Sequence, residues 1–403
     1  MFNNFIRSRF AFVVMYCIAV PFVCAQVNAA HDFWAGRDVI VDPDPKAAKV
    51  RIGIWDSGVN PELFRDRWAI NADKELILRG YDAFKNRQDT AMAVLPETIL
   101  AKRKQLDQDL RAFDDIDSGL DSPAARQMIE RLKTMSEAEE REFDLAIGRW
   151  SGYAHGTAVA DIALSGHGTA EIIVARMEWW HGSPPVPCWS KELADKEAVS
   201  IGDLLKFLVD NGARVVNMSW GRYERSYLSN LSACAPDMAE SERKALARYT
   251  VEKIRGVLID GMRASPNVLF VAAAGNAAIT VEEANPATRF TLPNFILVGA
   301  VDEVGKAADF TNTGPEITIY ANGRRIPARL PGGETSYPSG TSMSTPIVAN
   351  AAAKLLSVNP NLSGAEMKRI LETTADKNPD GLPLLHTAKA VKAARGKVAR
   401  SSK

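Results

Sequence analysis

The sequence predicts an α/β fold, a mostly parallel central sheet with helices on both faces, and two observations carry that expectation. From Val50 onward, short apolar runs rich in Val and Ile alternate with stretches of helical period, the pattern of strands joined by crossover helices. The chain has 403 residues, 46% of them hydrophobic and 24% charged. That is enough apolar material for a large core and lies far from disordered or fibrous compositions.

In chain order, Val50–Trp55, Glu171–Met177, Ala213–Met218, Val268–Ala274 and Phe295–Val301 are predicted as strands. Helical spacing over Thr157–Leu164, Ile201–Asn211, Glu240–Ala264, Thr345–Ser357 and Ser363–Thr374 predicts helices. Between Ala91 and Trp150 the chain becomes highly charged, with Leu, Ile, Met and Phe at helical spacing over Ile99–Phe113 and Ala124–Phe143. This reads as an inserted helical arm, residues 91–150. Charged amphipathic helices are most often exposed faces, so a solvated decoration is expected; a lid or a docking site for an unknown partner is the sharper alternative. The end, Thr387 to Lys403, is a basic, Ala-rich helix expected to fray, with 395–403 as a tail of no assigned function.

At the other end, Arg7 and Arg9 precede the apolar run Phe10–Val23, and Cys24 and Ala25 follow it. That is the pattern of a cleavable secretory signal over residues 1–25. Pro21 interrupts the run, which falls short of the ~20 residues of a spanning helix, so no stable membrane span is expected after cleavage. Bulky Val23 argues against lipid modification of Cys24. A secreted or periplasmic location follows. Lys+Arg and Asp+Glu each number 49, so no net charge draws the chain to nucleic acid, and no zinc-type Cys/His spacing occurs. Signal removal leaves Cys188 and Cys234 as the only thiols. In an oxidising compartment they suit one disulfide, although counting alone equally allows two separate buried thiols.

Four residues stand where acyl-transfer chemistry would need them. Ser342 lies in Ser339-Gly340-Thr341-Ser342-Met343-Ser344-Thr345-Pro346, just before a small, apolar helix. A helix N-terminus offers unpaired backbone N–H groups and a favourable dipole, the support a developing oxyanion needs. Taken alone, a serine there is more often a cap than a nucleophile. Asp56 ends the first strand run and precedes Ser57-Gly58, at the strand end where catalytic groups of open α/β sheets gather; alone, it is a common turn opener. His155 opens His155-Gly156-Thr157-Ala158, whose small residues permit close packing beneath the imidazole. The rival His167-Gly168-Thr169 runs straight into a strand pattern from Ala170, which leaves His167 in a loop, so His155 is the better base. Asn276 follows the strand Val268–Ala274 through Gly275.

Asp56-Ser57-Gly58, His155-Gly156-Thr157, Ala273-Ala274-Gly275-Asn276 and Gly340-Thr341-Ser342-Met343-Ser344-Thr345-Pro346, in that order, resemble the subtilisin-like serine protease (subtilase) family. The order Asp, His, Ser differs from that of trypsin-like enzymes and α/β-hydrolases. The likeness runs from Val50 to Ala394 apart from the insertions, and continues in Leu297–Asp302 and Phe310–Gly314. It implies a three-layer subtilisin-like fold and an exported serine endopeptidase acting on polypeptides through an acyl-enzyme. Ser342 would attack, His155 would take and return the proton, and Asp56 would orient the imidazolium. Asn276 and the Ser342 N–H would hold the oxyanion.

The resemblance further implies that Ser219-Trp220-Gly221 receives the substrate backbone as an added strand, with Ala273-Ala274-Gly275 as the facing wall of the first pocket. Trp220 stands where relatives more often have a smaller aliphatic residue; it either narrows a subsite or packs under the strand. In such a sheet the loops bearing Cys188 and Cys234 leave the same edge, which implies their pairing. Three features depart from the family pattern. The segment 26–49 is short for a folded propeptide domain, and the gap from Asp56 to His155 is wide. The loop Ser165–Thr169 is short and carboxylate-poor; no metal site and no cofactor are expected, calcium being open to the family but without an identifiable site here. A catalytically silent fold used for binding, or a processing enzyme dedicated to one substrate, is the alternative reading.

Overall fold

A computed structural model of the protein describes residues 33–44, 48–117, 120–179, 187–284 and 287–401. The expected signal over residues 1–25 lies outside the described residues, as do parts of the 26–49 segment and residues 180–186 of the Pro-rich loop before Cys188. Eleven strands occur among the described residues: β1 (Val50–Asp56), β2 (Leu78–Tyr81), β3 (Ala170–Met177), β4 (Val215–Met218), β5 (Leu269–Ala273), β6 (Phe295–Val301), β7 (Ile319–Asn322), β8 (Ala328–Arg329), β9 (Thr335–Ser336), β10 (Asp376–Lys377) and β11 (Pro383–Leu384). The α-helices are α1 (Glu97–Leu100), α2 (Arg103–Asp117), α3 (Pro123–Thr134), α4 (Glu137–Leu164), α5 (Lys191–Asp210), α6 (Glu224–Cys234), α7 (Glu240–Arg263), α8 (Val281–Ala284), α9 (Thr341–Val358), α10 (Gly364–Thr374) and α11 (Thr387–Ser401).

The main sheet runs β10-β11-β7-β6-β5-β4-β1-β3-β2, and the pairings are parallel except for β10 with β11. Side chains alternate across β1. Ile52 and Ile54 face one cluster with α4 and α9, while Trp55 faces another with α5 and α7. These are the three layers. The order reverses around β1, which lies between β3 and β4, and such a reversal opens a crevice at the carboxyl ends of the strands. Asp56 is the last residue of β1.

The five predicted strands all form, with ends shifted by up to two residues. Two further strands carry no Val- and Ile-rich run in the sequence: β2 is Leu-Arg-Gly-Tyr and β7 is Ile-Tyr-Ala-Asn. Three of the five predicted helices, those expected from Thr157, Ile201 and Thr345, start earlier than their sequence pattern suggests. The helix expected from Thr157 is a 28-residue element from Glu137, opened by a capping box of Ser136 and Glu139. The same cap breaks the predicted helix Ala124–Phe143 into α3 and α4.

The inserted arm is not a solvated decoration. Leu106, Met128, Phe143, Ile147 and Trp150 belong to the same buried cluster as Ile52 and Ile54. Each such side chain contributes about 1.5–3 kcal/mol on burial, enough to hold the arm on the body. The first part of α11 is likewise anchored: Ala390, Val391 and Ala394 are buried against α9 and α10.

Residues 38–43 lie across the back of the molecule. Val41 N–H donates to the Gly166 carbonyl at 2.9 Å, and Gly168 N–H donates to the Val41 carbonyl at 2.6 Å. A Cβ on Gly168 would fall 2.3 Å from Pro43 N, so glycine is required beneath this strap. The fully buried Lys354 ammonium on α9 donates to both Asp38 oxygens at 2.9 Å. Asp38→Ala should lower the unfolding free energy by about 2 kcal/mol, less than the ~3–5 kcal/mol of a fully buried pair because water reaches the Asp38 carboxylate. Urea denaturation checks this, and an unchanged midpoint would show that Lys354 needs no counter-charge.

Candidate active site

Asp56 has no exposed surface. Its Oδ1 accepts from the Ser57 N–H at 2.7 Å and meets His155 Nδ1 at 2.8 Å. A carboxylate only accepts, so Nδ1 carries the proton and Nε2 is left as the ring's acceptor. Close packing of α4 on the Asp56–Gly58 turn brings the pair together. A Cβ on Gly156 would lie 2.2 Å from the Gly58 carbonyl oxygen, and Gly156 N–H donates to Ser57 Oγ at 3.2 Å. Asn60 N–H donates to Thr157 Oγ1 at 3.0 Å. On its open side the imidazole meets the Trp179 ring at 4.8 Å between centroids. Trp179 follows β3, the neighbour of β1, and nothing in its local sequence marked it.

Ser342 is half-buried in the first turn of α9. The helix begins at Thr341, four residues earlier than its sequence pattern suggested, which places Pro346 beyond the first turn. Proline has no N–H, so the Ser342 carbonyl loses its helical donor. Ser219 supplies the replacement, its hydroxyl donating to the Ser342 carbonyl at 2.8 Å. In return Ser342 Oγ–H donates to the Ser219 carbonyl at 3.3 Å, and Asn217 Nδ2 donates to Ser219 Oγ at 2.9 Å. Among the described residues no hydrogen bond joins Ser342 to His155.

Asn276 lies exposed opposite this turn. Its Oδ1 accepts from the Thr341 N–H and from Thr341 Oγ1, both at 2.8 Å. A backbone N–H can only donate, which fixes the amide's orientation and leaves Nδ2 as the outward donor. Thr341 Oγ1 also accepts from the Gly275 N–H at 3.0 Å. Gly275 has φ +103°, and a Cβ there would fall 2.4 Å from Asn312 Nδ2. Asn312 Nδ2 donates to the Ala274 carbonyl at 2.8 Å and its Oδ1 accepts from the Ala277 N–H at 2.9 Å. In the sequence Asn312 has no signal beyond its place in Phe310–Gly314; in the structure it clamps the turn that carries Asn276.

Ser219, Trp220 and Gly221 follow β4, and Ala273, Ala274 and Gly275 end and follow the adjoining β5. Trp220 is buried and packs edge-on against Trp55 at 5.0 Å. It also lines, with Gly221, a cavity of about 290 Å³ whose walls include Trp179, Trp189 and Tyr227. Ala273, Ala274 and Gly275 are not among the described residues around that cavity. At its base Glu197 accepts from Arg222 Nε at 2.7 Å and Tyr227 Oη at 3.0 Å, with Lys85 Nζ at 3.6 Å. Burial alone would raise the Glu197 carboxyl, but Lys85 and Arg222 together hold it down to about 2. Beside the cavity Cys188 and Cys234 are joined as a disulfide, their Cα atoms 5.5 Å apart. Among the described residues no group of three or more His, Cys, Asp or Glu side chains could hold a metal ion.

His167 stands apart from this cluster. Its ring is buried against α9, with Ser357 Oγ 3.3 Å from Nε2 and Thr169 Oγ1 3.5 Å from Nδ1. It stands with the back strap, beside Val41.

A mostly parallel sheet between two helical layers, with the polar cluster at the carboxyl ends of β1, β4 and β5, defines a subtilisin-like α/β domain. The subtilase family model matches residues 47–388, and the chain belongs to that family. It is 30% identical over 289 residues to the cell wall-associated protease of Bacillus subtilis, covering 69% of this chain and 27% of that protein. It is 38% identical over 111 residues to the subtilisin of Bacillus pumilus, covering 28% of this chain and 40% of that one. The matched stretches thus span well under half the length of these relatives. A chain of the subtilase cytotoxin SubAB assembly superposes with a TM-score of 0.52 at 17% identity, over 88% of this chain and 93% of its own, a likeness of fold alone.

Burial lowers His167 from its ordinary 6.5 to about 4. The unfolded chain therefore binds the proton more readily, and the group's contribution is complete above pH 6.5. It is lost as the pH falls from there towards 4, at up to about 1.4 kcal/mol per pH unit. His167→Gln should flatten the fall in stability between pH 7 and pH 5, measured by urea denaturation; identical slopes for variant and parent would contradict the assignment.

Proposed function

We propose that this chain is an exported serine endopeptidase that cleaves polypeptides through an acyl-enzyme on Ser342. The observation that carries the reading is the 2.8 Å contact of His155 Nδ1 with the buried Asp56 carboxylate, which leaves Nε2 to act as base. In the reacting state Ser342 Oγ gives up its 3.3 Å bond to Ser219 and donates to that nitrogen. Oγ then attacks the scissile carbonyl as Nε2 takes the proton, and Asp56 supports the imidazolium. The oxyanion is held by Asn276 Nδ2 and the Ser342 N–H, the latter at the positive end of α9. Nε2 returns the proton to the leaving amine, and water then hydrolyses the ester by the same route. The substrate backbone lies along Ser219-Trp220-Gly221, and its side chains meet the aromatic cavity. Export rests on the basic and apolar pattern of residues 1–25, and among the described residues no helix is long and apolar enough to cross a membrane.

A fluorophosphonate probe should label Ser342 and no other serine; no labelling of folded protein, or labelling that persists in Ser342→Ala, would defeat the reading. His155→Ala should abolish peptide cleavage, while His167→Ala should retain most of it per folded molecule. Asn276→Ala should lower kcat by about 10²–10³ with little change in KM, a size known from subtilisin itself. Steady-state kinetics on a peptide selected from a cleavage library tests both, and an unchanged kcat would remove Asn276 from the oxyanion site.

A further inference from the structure

Helix α2 grips the segment that leads to Ser342. Between β7 and α9 the chain runs out through the β8–β9 hairpin and returns to Gly340, whose N–H donates to the Gly323 carbonyl at 2.7 Å. Four side chains of α2 reach this segment. Arg103 pairs with Glu334 at 2.9 Å, Asp107 accepts from Ser336 Oγ at 2.6 Å, and Asp115 pairs with Arg325 at 2.6 Å. Asp114 Oδ2 accepts from the backbone N–H of Ser339 at 3.0 Å, three residues before Ser342. Arg325 N–H donates to Ser339 Oγ at 3.1 Å. Arg325 itself has φ +51°, a conformation that costs a bulky residue free energy and persists only where surrounding contacts impose it.

The same segment is held from the side of His155. Asp161 on α4 accepts from Arg329 Nε at 2.7 Å and from Arg329 N–H at 2.8 Å. α4 is continuous from Glu137 through His155 to Leu164, and its first half packs on α2. One rigid helix therefore belongs both to the arm and to the imidazole, and the arm's carboxylates fasten the loop of the serine.

We propose that the inserted arm is a brace that sets the position of the Ser342 turn relative to His155, with Asp114 as a positioning residue. Its kinetic consequence rests on the protease reading above; its structural consequence does not. Misplacement by about 1 Å costs a reaction up to ~10²-fold, and one lost tether of several should cost part of that. Asp114→Ala should lower kcat about tenfold per probe-labelled site, with KM within about twofold, because substrate contacts at Trp220 and Gly221 are untouched. Asp114→Asn keeps an acceptor for the Ser339 N–H and should restore kcat. Hydrogen exchange over residues 336–342 should quicken in Asp114→Ala and not in Asp114→Asn. Should Asp114→Ala fail to fold, Arg325→Ala removes the neighbouring tether and is read in the same two ways.

Unchanged kcat and unchanged exchange would overturn the brace. So would equal losses in the Ala and Asn variants that track a fall in melting temperature, since that pattern means general destabilisation. Parent protein that neither labels nor cleaves, yet shows faster exchange in Asp114→Ala, would defeat the protease reading while supporting the brace.

Discussion

Asp56 is sealed from water at the end of β1, and a buried carboxylate must be answered by donors fixed in space. The nearest available donors are its neighbour's N–H and the imidazole of a helix that begins in the arm. To deliver that imidazole α4 must lie directly on the Asp56–Gly58 turn, which excludes any side chain at position 156. The tautomer of His155, the glycine after it and the angle of α4 all answer to one desolvated charge.

The helix that carries Ser342 is tied to the sheet by a different device. Pro346 strips the Ser342 carbonyl of its helical partner, and Ser219 takes it. A free carbonyl at a helix start costs free energy unless met, so the missing N–H becomes a link between α9 and the end of β4. Asn276 is held at the same turn by Thr341. The ends of β1, β4 and β5 are thereby bound to α4 or α9, the helices that carry His155 and Ser342, and the arm adds a fourth tie through Asp114.

The cavity beside Trp220 combines aromatic walls with a buried cluster of Lys85, Arg222 and Glu197. Two cations on one carboxylate hold that carboxyl ionised despite burial, so the base of the cavity is polar and fixed while its walls are apolar. The disulfide from Cys188 to Cys234 closes a loop of 46 residues around this wall. A closure of that length is worth roughly 4 kcal/mol on the chain-entropy account, and the stiffness falls on the wall that carries Trp189, Trp220 and Tyr227.

The α/β class, the five central strands and the polar residues Asp56, His155, Asn276 and Ser342 were legible in the sequence. Strand runs, helix-entry serines and glycine-bearing turns are local patterns, written within a few neighbouring residues. The strands β2 and β7 hold Arg79, Gly80 and Asn322 among their four residues and so show no apolar run, and the start of α4 hid inside a charged insertion. What only the tertiary structure decided depends on pairs distant in the chain. His155 meets Asp56 across 99 positions, Thr341 orients Asn276 across 65, and Asp114 reaches Ser339 across 225. The identical tripeptide at His167 is spent on packing under the back strap. The strand pattern that follows His167 already sets it apart from His155 in the sequence, and the sheet order gives the reason, because only His155 arrives beside the end of β1.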